Sequence, residues 1–169
     1  MVLMIFSSFL FAKETDYLTG KNNPSKDPLF TEVEEPYAKG KGLFLRKEAY
    51  GAFVKMALTA KKDRIHLTIV SAARDFNAQK AIWEAKWNGS RKVEGKNLAN
   101  EIKDPQIRAQ LILRYSSMPG TSRHHWGSDM DLNSVNPDYF EGKEGRKIYA
   151  WLKANAPKYG FCQPYTAFG

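Results

Sequence analysis

Two imidazoles and two carboxylates surround a single glycine in the stretch from Pro119 to Asp131, which reads Pro-Gly-Thr-Ser-Arg-His-His-Trp-Gly-Ser-Asp-Met-Asp. Neutral imidazole nitrogen and carboxylate oxygen are both ligands that zinc prefers. A hydrolytic zinc site also leaves one position open for the water that the metal activates. The composition of this stretch therefore predicts a zinc site, to which it contributes two ligands.

The spacing within this stretch indicates how the ligands meet. Residues 128–133 alternate between polar and apolar side chains, as a half-buried strand does, and this alternation directs Asp131 toward a cleft. Gly127 permits a sharp turn just before the strand, which brings the preceding loop back beside Asp131. Neighbouring side chains in extended chain point in opposite directions, so we expect only one of His124 and His125 to reach the metal.

The pattern Ser122-x-His124-x-x-Gly127-x-Asp129-x-Asp131 resembles the Ser-x-His-x-x-Gly-x-Ala-x-Asp signature of the VanY-like zinc D-alanyl-D-alanine carboxypeptidases and dipeptidases. The resemblance implies that His124 and Asp131 bind zinc. Asp129 stands where the signature usually has Ala. This difference leaves the ligand spacing intact, and we expect Asp129 to accept a hydrogen bond close to the metal.

A second segment carries the same resemblance. Residues 67–79 read as an apolar strand that ends in Ser71-x-x-Arg74, with Gln79 five residues later. In the family this arginine lies in the substrate cleft, where it polarises the scissile carbonyl or holds the substrate carboxylate. The resemblance, which covers roughly residues 40–169, thus implies a catalytic role for Arg74 and substrate-binding roles for Gln79 and Ser122.

The chain differs from the family in its histidines. The family's third zinc ligand and its general base come from a later Glu-x-Trp-His-like segment, whereas no histidine follows His125 here. We therefore expect the chain to be truncated at its C-terminus and inactive by itself. The remaining histidine, His66, lies in a predicted strand and is interpreted as structural.

The resemblance implies a zinc metallopeptidase that hydrolyses the peptide bond at the D-alanine end of peptidoglycan stem peptides. Three alternatives remain open. A zinc endopeptidase that cuts cross-bridges would use the same residues, and a non-catalytic cell-wall-binding protein would keep the cleft without the chemistry. A metal-dependent nuclease is disfavoured, because a His and Asp ligand set beside an arginine suits zinc better than magnesium.

Composition limits the partners. The chain has 169 residues, of which 43% are hydrophobic, and a formal net charge of +8. This size suits one domain that acts as a monomer, and the positive charge favours anionic surroundings such as cell-wall polymer. The lysines are spread along the chain and no nucleic-acid-binding motif occurs, so we expect peptidoglycan peptides and no nucleic acid as partners.

The chain organisation predicts an exported protein. Residues 1–12 are largely apolar and end in Ala12 before an abrupt change to charged sequence, as in a signal peptide; they are too short for a stable membrane span. We therefore expect a periplasmic or cell-envelope location, and a buried helix is the alternative interpretation of residues 1–12. Residues 13–45 are rich in Pro, Gly, Lys and Glu and predict an irregular N-terminal arm, and residues 46–169 form the VanY-like domain without its C-terminal end.

The elements that position these residues follow from periodicity and capping signals. The sequence predicts helices over 46–61, 78–85 and 144–156, and a further helix that begins at Asp104 and Pro105. It predicts strands at 65–71, at 128–133 and from residue 161 onward, and a polar loop over 89–104. Apolar spacing directs Ile107, Leu111 and Tyr115 to the buried side of the Asp104 helix. We predict an α+β fold in which helices pack on one face of a small antiparallel sheet and the zinc cleft lies on the other.

Overall fold

The secondary structure comes from a computed structural model that describes residues 15–165. Residues 15–19 are helical. In chain order the further elements are β1 (Phe30–Glu32), β2 (Phe44–Arg46), α1 (Lys47–Lys62), β3 (Ile69–Ser71), α2 (Phe76–Trp87), α3 (Leu98–Glu101), α4 (Pro105–Leu113), β4 (Asp131–Leu132) and α5 (Lys143–Asn155). Short 3-10 helices cover Arg123–Trp126, Pro137–Glu141 and Ala156–Tyr159.

Side-chain caps fix where two of the helices begin. The Asp75 carboxylate accepts the backbone N–H of Ala78 at 2.7 Å and starts α2. The Asp104 carboxylate accepts the N–H groups of Gln106 and Ile107 and starts α4, whose first residue is Pro105. Both caps satisfy N–H groups that have no partner inside the helix. The predicted start of the Asp104 helix is confirmed.

The chain folds into two units, and the second unit contains both sheets. It comprises residues 28–72 and the described residues from 130 to 165. Strands β1 and β2 pair antiparallel, as do β3 and β4, in which Ile69 lies opposite Leu132. Helix α1 buries its predicted apolar face, formed by Phe53, Met56, Ala57 and Ala60. The α+β class is confirmed, with the antiparallel sheet present as two small two-stranded sheets.

The first unit is helical and has a much smaller core. Its described part comprises residues 15–27 and 73–129, with α2, α3, α4 and the histidine-containing stretch. The buried apolar residues that cluster there are Val93, Leu98 and Ile112. Because so little apolar surface is buried in this cluster, hydrogen bonds between distant segments carry much of the positioning in this unit.

Several local predictions differ from the structure. Ile107 and Tyr115 are about half exposed, and Ile112 is the buried residue of α4, because this nine-residue helix packs against Val93 and Leu98 through a different face. The predicted loop over 89–104 contains α3. Within 13–45, predicted to be irregular, β1 and β2 begin the second unit, because their backbone groups pair with each other. Residues 161–165 form no strand.

The predicted signal segment, residues 1–12, lies outside the described residues. Between residues 15 and 165 no helix combines the length and the hydrophobicity that crossing a membrane requires.

Candidate functional site

The histidine-containing stretch folds as the short 3-10 helix Arg123–Trp126, held between a buried serine and a turn glycine. Ser122 precedes the helix and is 2% exposed. Gly127 ends it with a φ of 75°, in the left-handed region that glycine adopts without steric cost. The turn predicted at Gly127 is therefore confirmed.

The buried histidine of the pair, His125, connects two other segments of the first unit. Its Nδ1 lies 2.7 Å from the carbonyl oxygen of Arg74, and its Nε2 accepts the backbone N–H of Gly120 at 3.1 Å. A ring nitrogen that accepts an N–H carries no proton, so the proton is on Nδ1 and is donated to Arg74. Both ring nitrogens are thus used within the protein, and His125 has no lone pair to offer a metal.

Gly20 lies directly against this imidazole. A Cβ at this position would overlap the ring of His125, and the φ of Gly20 is 74°. The carbonyl oxygen of Gly20 accepts the backbone N–H of Phe76 at 2.6 Å. A glycine is therefore required here by close approach as well as by backbone conformation. No local signal in the sequence marks Gly20, since its contacts are with His125 and Phe76, far along the chain.

Arg74 is held to the same pair of histidines through its backbone. Its N–H donates to the carbonyl oxygen of His124 at 3.2 Å, and its own carbonyl oxygen accepts from His125. It stands immediately before Asp75, the N-cap of α2. The point from which the half-buried Arg74 side chain projects is consequently fixed relative to His124.

Gln79 is buried on α2, with only one of its two polar atoms bonded. Its Nε2 donates to the carbonyl oxygen of Ser117 at 2.7 Å. Its Oε1 is buried and has no hydrogen-bond partner among the described residues. The amide group therefore anchors the segment that leads into the histidine-containing stretch and keeps one acceptor unused.

Asp129, which stands where the signature usually has Ala, pairs with Arg123. The two side chains form a bidentate ion pair, with Nε–Oδ2 at 2.8 Å and Nη2–Oδ1 at 3.2 Å. The guanidinium also lies 4.8 Å from the centre of the Trp126 ring. Asp129 was expected to accept a hydrogen bond near the metal. Its two oxygens accept from the fork of Arg123 in the bidentate geometry that favours this pairing, and the role of Asp129 near a metal stays a prediction.

Asp131, the second predicted ligand, belongs to β4 in the second unit, where it is paired with Ser71 and half-buried. The imidazole of His124 and the carboxylate of Asp131 are donor types that fit zinc. Between residues 15 and 165 no group of three His, Cys, Asp or Glu side chains is arranged to hold a metal ion.

A cavity of about 380 Å³ lies in the first unit, and Asp75, the residue after Arg74, belongs to its lining. Residues 20–23 and 75–77 line it. Asn22 belongs to this lining, and both polar atoms of its side-chain amide are buried without a hydrogen-bond partner in the described part of the chain. The cavity therefore has a wall with an unused donor and an unused acceptor.

We predict that His125→Ala destabilises the fold by about 3 kcal/mol, because two hydrogen bonds are lost and buried groups of Arg74 and Gly120 lose their partners. Denaturant unfolding of the purified protein measures this. His66→Ala is the matched control, since the His66 side chain is exposed and its loss should change the free energy of unfolding by less than about 0.5 kcal/mol. Equal small effects of both changes would contradict a linking role for His125.

Comparison with known proteins places this chain in a family. The family profile described as VanY, D-alanyl-D-alanine carboxypeptidase, matches residues 42–168. An uncharacterised protein of Haemophilus influenzae is 36% identical over 107 residues, which are 61% of this chain and 68% of that protein. The putative carboxypeptidase YodJ of Bacillus subtilis is 31% identical over 156 residues, or 88% of this chain. The chain spans about half (49%) of the length of YodJ.

Solved structures share the fold. The vancomycin resistance D,D-pentapeptidase VanY, in a complex of a point mutant with Zn(II), has a TM-score of 0.61 at 20% identity and is matched over 84% of this chain and 70% of its own. The LD-carboxypeptidase LdcB has a TM-score of 0.57 at 25% identity, over 83% and 60% respectively. Because its profile matches most of the chain, this protein belongs to the VanY family of D-alanyl-D-alanine carboxypeptidases.

Proposed function

We propose that this protein is a zinc-dependent D-alanyl-D-alanine carboxypeptidase that removes the terminal D-alanine from peptidoglycan stem peptides. The observation that carries the proposal is the double backbone connection of Arg74 to the two histidines, at 3.2 Å to His124 and 2.7 Å to His125. It holds together, in one unit, the arginine and the histidine to which the family resemblance assigns the chemistry. The net charge of +8 supports a substrate that is part of an anionic polymer, because a positively charged protein is attracted to such a polymer.

His124 and Asp131 are the zinc ligands in this proposal, and Zn²⁺ is the cofactor. Zinc, when bound, supplies a Lewis acid and an activated water whose pKa falls to about 7. His125 supports His124 from the next position, because its two hydrogen bonds fix the 3-10 helix to which both belong. The third ligand and the general base are not assigned to described residues, and the expected inactivity of this chain alone stays a prediction.

Arg74 is the catalytic residue that binds the substrate carbonyl oxygen and stabilises negative charge as that charge develops. Gln79 and Ser122 are the substrate-binding residues. The unused Oε1 of Gln79 is suited to accept an N–H from the substrate, since a buried acceptor without a partner costs about 1–3 kcal/mol. The cavity lined by residues 20–23 and 75–77 is suited to the peptide chain, because the unused donor and acceptor of Asn22 match a peptide group.

The test uses the protein expressed from its complete gene and a pentapeptide stem that ends in D-Ala-D-Ala. We expect release of one D-alanine per peptide, loss of release after a chelator removes the metal, and recovery with added zinc, because the metal activates the attacking water. Chromatography of the products measures this. A tetrapeptide stem that ends in a single D-alanine is the control substrate and should be cleaved more slowly.

The same assay distinguishes the competing functions, because each of them predicts a different result. Cleavage of a cross-linked dimer inside the bridge, without D-alanine release, would replace the proposal with the endopeptidase. Binding to purified cell wall without any cleavage would replace it with the non-catalytic wall-binding protein.

A peptidoglycan substrate lies outside the cytoplasmic membrane, so we propose that the protein is exported to the periplasm or cell envelope and acts there as a monomer. The apolar start of the sequence supports export.

A further inference from the structure

Lys86, in the last turn of α2, is buried although it carries a charge. It is 6% exposed, and its ammonium donates to the carbonyl oxygen of Tyr115 at 3.3 Å and to the hydroxyl oxygen of Ser116 at 2.7 Å. The ammonium also lies 6.0 Å from the centre of the Tyr115 ring. No carboxylate forms an ion pair with it among the described residues. Lysine is almost never fully buried unless it is paired, so the contacts of this side chain require an explanation.

The fold disfavours the charge of Lys86. Burial, followed by the positive charges of Arg91 and Arg74, lowers the pKa of Lys86 from 10.5 to about 8. A lowered pKa means that the charged form is less favourable in the folded protein than in the unfolded chain, so the ammonium does not act as a general stabiliser of this unit. A neutral side chain of similar length should therefore be tolerated by the fold.

Lys86 acts on the same segment as Gln79. The two residues lie seven positions apart, or about two turns, on one face of α2. Gln79 binds the carbonyl oxygen of Ser117, so α2 contacts three consecutive residues, Tyr115 to Ser117, through two long polar side chains. Two side chains on one face of α2 therefore fix the path of the segment Tyr115–Ser117, which follows the end of α4.

The held segment leads directly into the candidate site. Three residues beyond Ser117, the backbone N–H of Gly120 donates to His125. His125 in turn binds the carbonyl oxygen of Arg74, and Arg74 binds that of His124. Hydrogen bonds, joined by the short stretch of chain from Ser117 to Gly120, thus connect Lys86 within one unit to the residues proposed to do the chemistry.

We propose that Lys86 is a positioning residue: its ammonium fixes the segment Tyr115–Ser117 and, through Gly120 and His125, sets the placement of Arg74 and His124. The catalytic part of this inference rests on the proposed function, whereas the placement of the segment does not. Lys86 touches neither substrate nor metal in this role. The charge is kept in the interior for geometry and not for stability, since replacing a buried charge with an apolar residue is often neutral or stabilising.

The test compares Lys86→Met with Lys80→Met in the full-length protein. Methionine keeps the length of the side chain and removes the charge and the donors. Lys80 is the matched control on α2, because it is half exposed and its ion pair with Glu84 is a surface contact worth little. Lys86→Arg, which keeps a cation and its donors, serves as the conservative variant.

Three measurements are made on each variant. Thermal unfolding of Lys86→Met should match the parent, while amide hydrogen exchange over 115–125 should become roughly tenfold faster, as loss of one or two hydrogen bonds would give. Its kcat on the pentapeptide should fall by about 10²-fold with KM little changed, the size expected from a misplacement of about 1 Å. Lys80→Met should match the parent throughout, and Lys86→Arg should recover part of kcat.

The outcomes separate the inference from the proposed function. Unchanged exchange over 115–125 in Lys86→Met would overturn the inference, and so would a lowered melting temperature with faster exchange throughout the protein, which indicates a structural role alone. Faster exchange confined to 115–125, in a protein whose parent releases no D-alanine, would support the positioning of the segment and refute the proposed function.

Discussion

Replacement of His124 by Ala in the full-length protein is expected to remove bound zinc and, with it, D-alanine release. Loss of a residue that hydrogen-bonds to a zinc ligand already lowers metal affinity or activity by about 10- to 100-fold. Loss of the ligand itself should have a larger effect. Metal analysis after dialysis and turnover on the pentapeptide stem measure the two effects. Asp131→Asn, which keeps the shape of the side chain and removes its charge, should weaken zinc binding in the same direction.

The neighbouring histidine supplies the control for this prediction. His125→Ala should retain zinc to the extent that the variant remains folded, because both nitrogens of His125 are bonded to Arg74 and Gly120. Retention of zinc at the parent's stoichiometry by His124→Ala, together with its loss from a folded His125→Ala, would reverse the assignment of the two histidines.

Arg74→Lys is expected to lower kcat by about 10² to 10³, or roughly 2.7 to 4 kcal/mol, while zinc content and stability stay at the parent's level. Lysine keeps the charge but has no planar fork with which to hold a carbonyl or carboxylate oxygen. The variant should therefore stabilise the transition state less than the parent does. The backbone bonds of Arg74 to the two histidines do not depend on the side chain, which makes the change local. Steady-state kinetics of D-alanine release, with metal analysis of the same sample, measure the effect.

A control for the arginine is Arg64→Lys, since Arg64 is exposed and lies in the other unit, between α1 and β3. It should leave turnover unchanged. Unchanged turnover in Arg74→Lys as well would remove Arg74 from the mechanism, whereas loss of zinc from that variant would indicate that the side chain supports the metal site and does not act on the substrate.

Much of the fold follows from local signals. The apolar spacing of Phe53, Met56, Ala57 and Ala60 predicts the buried face of α1, and it is the face that is buried. Asp104 and Pro105 predict the start of α4, and the cap forms as expected. These features depend on residues a few positions apart, so periodicity and capping chemistry are sufficient to determine them.

The faces of α2 and α4 were not predictable in the same way. Along α2 the buried residues are Gln79 and Lys86, although apolar residues occupy other positions of the same helix. Each of these polar side chains finds partners about 30 or more residues away, at Ser117 and Ser116. A pattern based on hydrophobicity assigns such side chains to solvent, because nothing local shows that a distant backbone segment will offer them hydrogen bonds.

The amino-acid sequence alone was sufficient to predict the family, the class of fold, the buried face of α1, the start of α4 and the turn at Gly127. Which polar atoms meet depends on the packing of the whole chain. Packing brings His125 to Arg74 across 51 residues, and Gln79 and Lys86 to the segment Tyr115–Ser117. A hydrogen bond forms only at short distance and in the right direction. Whether two distant residues meet these conditions depends on how whole helices and strands pack, and this cannot be read from the two residues themselves.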